Sequence, residues 1–301
     1  MPWLQLHIDT SADQAAAIED ALLAAGAVSV TLEDNADQPI LEPALGETPL
    51  WNQTRLTGLF SIDTDKSQAL GLANTHFGRA LPASHWELLE DRDWERAWMD
   101  DFQPLCFGHR LWICPSWTEP PQADAINLML DPGLAFGTGT HPTTALCLQW
   151  LDANILDGKT VIDYGCGSGI LAIAALLLGA SSVIAVDNDP QALIATAENA
   201  RRNGIDPDRI LTFLPGQLPH DSSADLMLAN ILAGPLTTLA PTLSRMTRDE
   251  GTIVLSGILS SQAEALAACY SADFNMLPAE IEQGWARLTG QKKLLDAKPK
   301  I

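Results

Sequence analysis

The stretch VIDYGCGSGILAIAA, Val161–Ala175, places Gly165, Gly167 and Gly169 between two apolar runs. The first run predicts a strand and the second a helix, so the glycines form the turn between them. Glycines in such a turn let a ligand lie against the backbone, and the first N–H groups of the helix are available to bind it. A nicotinamide-binding fingerprint would need a glycine where this chain has Ile170, and the Gly-Lys-Ser/Thr sequence of a phosphate-binding loop does not occur.

The remaining pattern, G-x-G-x-G behind a strand with an acidic end, resembles the loop that holds the methionine side of S-adenosylmethionine in class I methyltransferases. A purely structural strand–helix turn is the alternative interpretation. The next predicted strand, in SVIAVDNDP, ends at Asp187, where a carboxylate can accept hydrogen bonds from both ribose hydroxyls of a nucleoside. Asp189 precedes Pro190 and is interpreted as the N-cap of the following helix.

Asn230 ends the apolar run ADLMLAN, the fourth predicted strand of this half of the chain. Open α/β sheets bind ligands at the carboxyl ends of their strands, and a carboxamide there can accept a hydrogen bond from an incoming amine. Many amine methyltransferases carry Asn-Pro-Pro-aromatic at this point. The run here is Asn-Ile-Leu-Ala-Gly-Pro, and the missing aromatic residue argues against a nucleobase substrate.

A glycine-rich run, LDPGLAFGTGTHPTT, spans Leu130–Thr144 just before the predicted sheet. Its three glycines would permit a lid over a bound ligand, and its threonines, Thr144 among them, offer hydroxyl groups. A glycine-rich turn followed by a helix start would explain the same residues without any ligand.

These residues need a scaffold, and the pattern from Lys159 onward supplies one. Apolar strands alternate with helices, which predicts an α/β domain with a doubly wound, mainly parallel sheet covered on both faces. One helix, after Asn230, is predicted to be broken by proline. The first 90 residues predict the order βαββαβ, which is typical of a ferredoxin-like α+β domain.

The segment DRDWERAWMDDFQP lies between the two halves. Trp94 and Trp98 are four residues apart, so they share one face of a predicted linker helix that Pro104 ends. The same segment could equally be the first helix of the second domain. The predicted organisation is therefore a domain over residues 1–90, a linker helix over 91–104 and a second domain over 105–301.

The chain of 301 residues carries a formal charge of −21, and this charge is uneven. Residues 1–95 contain sixteen acidic and four basic side chains, so they hold −12 of the total. Such a surface repels nucleic acid and favours a basic partner, although solubility alone would also explain it.

Five cysteines without a CxxC pair indicate neither a disulfide framework nor a zinc site, and predict a reducing compartment. The six histidines show neither HxxxH nor HExxH spacing, so no metal is expected. Because the sequence has no secretory signal pattern and no apolar run of membrane-spanning length, a cytoplasmic location without membrane attachment is expected.

The three motifs in Leu130–Thr144, Val161–Ala175 and LANILAGPL, in that order, resemble the bacterial methyltransferases of ribosomal protein L11. The resemblance extends from MPWLQLHIDT to GWARLTGQKK, essentially the whole chain. It implies transfer of methyl groups from S-adenosylmethionine, without a metal, to lysine side-chain and N-terminal amines of that basic ribosomal protein. It also implies that the N-terminal domain recognises the substrate and the second domain is catalytic.

The family's cofactor contacts fall on Thr144, Gly165, Asp187 and Asn230, and all four residue types are present. Gly167 belongs to the same loop and is expected to approach the cofactor, and Asn230 is the expected catalytic residue. No histidine or glutamate identifies itself as a general base, so solvent is a candidate for the proton acceptor. Two alternatives stay open: a methyltransferase acting on another protein or a small amine, and a non-catalytic protein that binds through the same cleft.

Overall fold

A computed structural model describes residues 2–36, 49–90, 102–131 and 141–294. The chain divides into two compact units, Met1–Asp100 and Asp101–Ile301. The division falls inside the predicted linker helix, but residues 91–101 of that helix, with both of its tryptophans, lie outside the described residues. No helix in the described part of the chain has the length and hydropathy needed to cross a membrane.

The first unit is an antiparallel sheet with two helices. Its elements are β1 (Trp3–Ser11), α1 (Ala12–Ala24), β2 (Ser29–Asp34), β3 (Gln53–Ser61), α2 (Lys66–Phe77) and β4 (Ser84–Leu89). The strands are ordered β2-β3-β1-β4. Strands β1 and β2, which α1 connects, are therefore not neighbours, and neither are β3 and β4, which α2 connects. Helix α2 begins at Asp65, whose side chain accepts hydrogen bonds from the backbone of Ser67 and Gln68, and ends at Gly78 in the left-handed conformation.

Alternation along β1 gives this sheet one buried and one open face. Leu4, Leu6 and Ile8 are buried in a core with residues of both helices, such as Ile18 and Ala73. Each fully buried Leu or Ile stabilises the unit by roughly 1.5–3 kcal/mol relative to exposure. The intervening β1 residues lie on the opposite face, as a period of two requires.

The second unit begins with a small sheet and continues as an alternating α/β domain. Its elements are β5 (Leu105–Phe107), β6 (Leu111–Cys114), β7 (Ile126–Met129), α3 (Pro142–Ala153), β8 (Thr160–Tyr164), α4 (Ile170–Leu177), β9 (Ser182–Val186), α5 (Pro190–Arg202), β10 (Ile210–Phe213), β11 (Ala224–Asn230), α6 (Ala233–Met246), β12 (Thr247–Leu259), α7 (Ala263–Tyr270), β13 (Phe274–Met276), β14 (Glu280–Glu282) and β15 (Trp285–Lys292). Strands β5, β6 and β7 form the small sheet.

The large sheet has the order β10-β9-β8-β11-β12-β15-β13, with β14 also paired to β15. The first five of these strands are parallel, which confirms the predicted mainly parallel sheet. Strands β13, β14 and β15 are antiparallel to their neighbours and extend the sheet beyond its parallel part. Successive residues of the central strand face opposite cores, since Val161 packs in one apolar cluster and Ile162 in the other.

One expectation for this unit is wrong. The helix after Asn230 is not broken by proline, because α6 runs without interruption over Pro241. Proline removes one backbone hydrogen bond and crowds the preceding turn, but the helix buries Leu236, Ala240 and Leu243 against the sheet. The packing of that apolar face outweighs the local preference of a single residue.

Candidate active site

The site lies where the parallel strands β8, β9 and β11 end. Gly165 follows β8, Asp187 follows β9, and Asn230 is the last residue of β11. Strand β8 pairs with both of the others, so these three residues lie at one edge of the sheet. The change of direction in strand order at β8 and β11 opens a crevice at that edge, which is where open α/β sheets bind ligands.

The glycine-rich turn between β8 and α4 has three left-handed residues. The backbone φ angles of Gly165, Gly167 and Gly169 are 84°, 53° and 79°, values that residues other than glycine rarely adopt. A Cβ on Gly165 would meet Cγ2 of Ile231, and one on Gly169 would lie 2.8 Å from Cγ2 of Thr196. The turn is thus packed against the β11–α6 connection and against α5, an internal requirement that the sequence pattern did not reveal.

Asp187 ties this turn to the loop after β9. Its Oδ2 accepts a hydrogen bond of 2.9 Å from the backbone nitrogen of Gly167, and its Oδ1 accepts one of 3.0 Å from that of Asp189. Each carboxylate oxygen keeps a further lone pair for a ligand hydroxyl. Asp189 caps α5 through a hydrogen bond from the backbone of Gln191, with Pro190 in the first turn, which confirms the structural role predicted for it.

Asn230 and Thr144 are joined directly. The Nδ2 group of Asn230 donates a hydrogen bond of 3.2 Å to Oγ1 of Thr144, which lies buried in the first turn of α3. The Oδ1 atom of Asn230 is buried and accepts no hydrogen bond from the described residues. Leaving a buried acceptor unpaired is costly, so this oxygen is available to a donor group on a ligand.

Beneath the turn, Asp163 is a buried carboxyl group. The sequence pattern indicates only that it lies near the acidic end of a strand. Its Oδ2 accepts a hydrogen bond of 3.1 Å from the backbone of Ala172, in the first turn of α4. Burial raises the pKa of Asp163 from 3.8 to about 7; the Ala172 hydrogen bond acts in the opposite direction and the negative charge of Asp187 adds to the rise.

Residues 132–140, which include the three glycines of the predicted lid, lie outside the described residues. The lid's last threonines are described: Thr144 bonds Asn230, and Oγ1 of Thr143 lies 2.7 Å from Nδ1 of His141. Burial lowers the pKa of His141, the N-cap residue of α3. The structure therefore brings together Thr144, Asn230 and the β8–α4 turn, with Asp187 bonded to Gly167.

A parallel sheet with antiparallel strands at one end, a glycine turn after its central strand and an acidic residue after the next strand define a class I methyltransferase unit. Residues 2–293 match the family described as Ribosomal protein L11 methyltransferase (PrmA). The chain belongs to that family.

Two relatives match nearly the whole length of the chain. The ribosomal protein L11 methyltransferase of Cellvibrio japonicus is 58% identical over 292 residues, covering 97% of this chain and 99% of that protein. The protein of the same name from Pseudomonas aeruginosa is 56% identical over 293 residues, with 97% and 99% coverage. The crystal structure of a ribosomal protein L11 methylase from Lactobacillus delbrueckii subsp. bulgaricus covers 64% of this chain and 100% of its own, with 34% identity and a TM-score of 0.58.

Proposed function

We propose that this protein transfers methyl groups from S-adenosylmethionine to lysine side-chain and N-terminal amines of ribosomal protein L11. The observation that carries the proposal is the buried Oδ1 acceptor of Asn230 at the crevice edge, which has no hydrogen-bond partner among the described residues, in a chain whose residues 2–293 match the L11 methyltransferase family. The names of the relatives at 56–58% identity support the substrate.

The residues at the crevice fit this cofactor. Gly165 and Gly167 would carry its methionine end, because the turn offers backbone without side chains, and Asp187 would accept hydrogen bonds from its ribose hydroxyls. Thr144 and Asn230 would close the site from the α3 side. When bound, S-adenosylmethionine supplies a methyl group on a positively charged sulfonium, which an amine lone pair can displace without acid catalysis.

The protein itself must bind an uncharged amine and align its lone pair for the displacement. A lysine ammonium has a pKa near ~10.4 and no lone pair, so a proton must leave first. In the proposed arrangement the Oδ1 atom of Asn230 accepts an N–H of the amine and so aligns its lone pair, which makes Asn230 the catalytic residue. Positioning of this kind supplies much of the rate of a displacement between two bound partners.

We assign substrate recognition to the first unit, as a ferredoxin-like domain over residues 1–90, joined by a linker over 91–104 to the catalytic domain over 105–301. Support comes from the strand order β2-β3-β1-β4 with both helices packed on one face. The charge of −12 within residues 1–95 suits a basic protein substrate and opposes nucleic-acid binding. We also propose a cytoplasmic location, because the proposed substrate is a ribosomal protein.

The test is a methylation assay with radiolabelled S-adenosylmethionine and purified L11, run beside a cell extract that lacks L11. We expect label in L11 alone, on lysine and N-terminal amines located by peptide mass spectrometry. Label in other proteins or in small amines, with none in L11, would favour a different methyltransferase. Cofactor binding by calorimetry without any transfer would favour a binding protein.

A further inference from the structure

Three side chains with metal-binding atoms share the open face of the first sheet. In the antiparallel pair of β1 and β4, His7 lies opposite His85 and Gln5 lies opposite Glu87. His7, His85 and Glu87 are thus on the same face, because Leu4, Leu6 and Ile8 occupy the buried one. Sequence spacing cannot reveal this cluster, since seventy-eight positions separate the two histidines.

The three ligand atoms are close enough to hold one ion. One ligating atom from each side chain lies within 4.8 Å of the other two. Nε2 of His7 is 3.3 Å from Oε2 of Glu87, and the rings of His7 and His85 stack with their centroids 4.8 Å apart and their planes 24° apart. Small rotations of His85 and Glu87, which are both exposed, would bring all three onto a common centre.

His7 is held in an orientation that suits a metal ligand. Its Nδ1 lies 2.9 Å from Oγ1 of Thr57, its partner residue on β3. Its Nε2 is buried and makes no hydrogen bond to the described residues, although the Glu87 carboxylate is within ion-pair distance. Metal-binding histidines are oriented in this way, with one ring nitrogen fixed by a polar neighbour and the other directed at the ion.

We propose that His7, His85 and Glu87 form a binding site for a first-row divalent transition cation, Zn²⁺ in the first place. Two imidazole nitrogens and one carboxylate oxygen are a donor set that Zn²⁺ accepts, with water completing the coordination on the exposed side. A bound ion joins β4 to β1 and stabilises the unit by mass action.

The test is calorimetric titration of the full-length protein with ZnCl₂, after removal of metal by EDTA and dialysis. We expect one saturable Zn²⁺ per chain. The variants His85→Ala and Glu87→Gln should each weaken binding about tenfold or more, and Thr57→Val, which releases the His7 ring, should weaken it about tenfold. His76→Ala on α2 and Glu33→Gln on β2 are matched controls that should bind as the unaltered protein does.

A Co²⁺ titration distinguishes this site from the exposed thiols of Cys106 and Cys269. The proposed ligands predict Co²⁺ absorption without a thiolate-to-metal charge-transfer band, and that absorption should be lost in His85→Ala. Absence of saturable binding, a thiolate band, or unchanged affinity in both His85→Ala and Glu87→Gln would overturn the proposal. Far-UV circular dichroism of the metal-free variants checks that each one is folded.

Discussion

The two polar atoms of the Asn230 carboxamide have different surroundings, and this difference predicts the effect of substituting the residue. Nδ2 donates a hydrogen bond to Thr144, whereas Oδ1 is buried and has no partner in the part of the chain that the structure describes. We expect this acceptor at the crevice edge to bind the substrate amine and not the cofactor. Loss of the oxygen should therefore impair the chemical step more than cofactor binding.

We expect Asn230→Ala to lower the turnover rate with saturating cofactor by about 10² or more, because misplacement of a reacting group by about 1 Å costs that much. Folding should survive, since the buried residues of β11 are untouched. Thr144→Val is the matched control, because it removes the hydrogen-bond partner and keeps Oδ1; its turnover should fall less. Steady-state kinetics at several cofactor concentrations decides. Unaltered constants in Asn230→Ala would remove this residue from the site.

Asp187 and Asp189 are two positions apart, but substituting them is expected to have different effects, the first on cofactor binding and the second on stability. We expect Asp187→Ala to weaken cofactor binding by roughly 1–3 kcal/mol, as for the loss of a charged hydrogen-bond acceptor. Asp189→Ala should leave cofactor binding unchanged and lower the free energy of unfolding by about 1 kcal/mol, through loss of the α5 N-cap. Calorimetry and urea unfolding of both variants separate binding from stability. Equal cofactor affinity in the two variants would contradict the assignment.

The raised pKa of Asp163 predicts that the free energy of unfolding depends on pH. Its pKa is about 7 in the folded protein and 3.8 as the ordinary value, so the folded state holds the proton more tightly. This group therefore lowers the free energy of unfolding as pH rises from about 4 to about 7, by about 4 kcal/mol at most. Asp163→Asn cannot ionise, so its stability relative to the unaltered protein should rise across that window and level off above it.

Urea unfolding of the cofactor-free protein and of Asp163→Asn at pH 4.5 and pH 8 measures this difference. Comparing the two proteins cancels the contributions of all other titrating groups, provided that they keep their surroundings. A stability difference that is the same at both pH values would show that Asp163 is ionised in the fold.

At the residue scale, the sequence predicts which residues lie at the ends of the strands but not the contacts that hold them there. The predicted site residues Gly165, Gly167, Asp187 and Asn230 could be picked out because each follows or ends an apolar strand. The tie between Asp187 and Gly167, and the side chain of Ile231 against Gly165, could not be predicted. Both depend on how neighbouring strands are ordered, and strand order is a tertiary property that local patterns leave open.

Among elements, the strands with the longest apolar runs were the easiest to predict. Strands β8, β9 and β11, and residues 251–259 of β12, are largely buried on both faces, and their apolar runs are distinctive. The short strands β5 and β13 have three residues each, too few for any periodicity. The proline in helix α6 predicts a break from local propensity alone, but the apolar face that packs on the sheet keeps the helix continuous.

Helix α4, which follows the glycine turn, is short, and its packing explains why the turn keeps its conformation. Helix α4 has eight residues, of which Ile170–Leu176 are all buried. Asp163 bonds its first turn from β8, and Thr196 of α5 donates a hydrogen bond of 3.1 Å to the carbonyl oxygen of Gly167. The turn is thus fixed from two neighbouring elements before any ligand binds, which reduces the entropy lost on binding.

At the scale of the whole molecule, each of the two units has its own apolar core residues, so each is a candidate for independent folding. Among the described residues, the first unit's core is formed mainly by β1, β3, α1 and α2, with side chains of β2 and β4 packed against it. The second unit has two clusters of its own, one on each face of the large sheet. The proposed cofactor residues Thr144, Gly165, Gly167, Asp187 and Asn230 all belong to the second unit. Substrate recognition and cofactor binding should therefore be separable by truncation.

A truncated chain that begins at Phe102 should bind S-adenosylmethionine with little loss of affinity, because no proposed contact is removed. It should fail to methylate L11 at ordinary substrate concentrations, because the acidic unit proposed to attract that basic protein is gone. Calorimetry with the cofactor and circular dichroism establish that the truncated chain is folded, and the labelled methylation assay then measures transfer. Full activity on L11 would show that the substrate is recognised by the second unit, whereas loss of cofactor binding in a folded chain would place part of the cofactor site in the first.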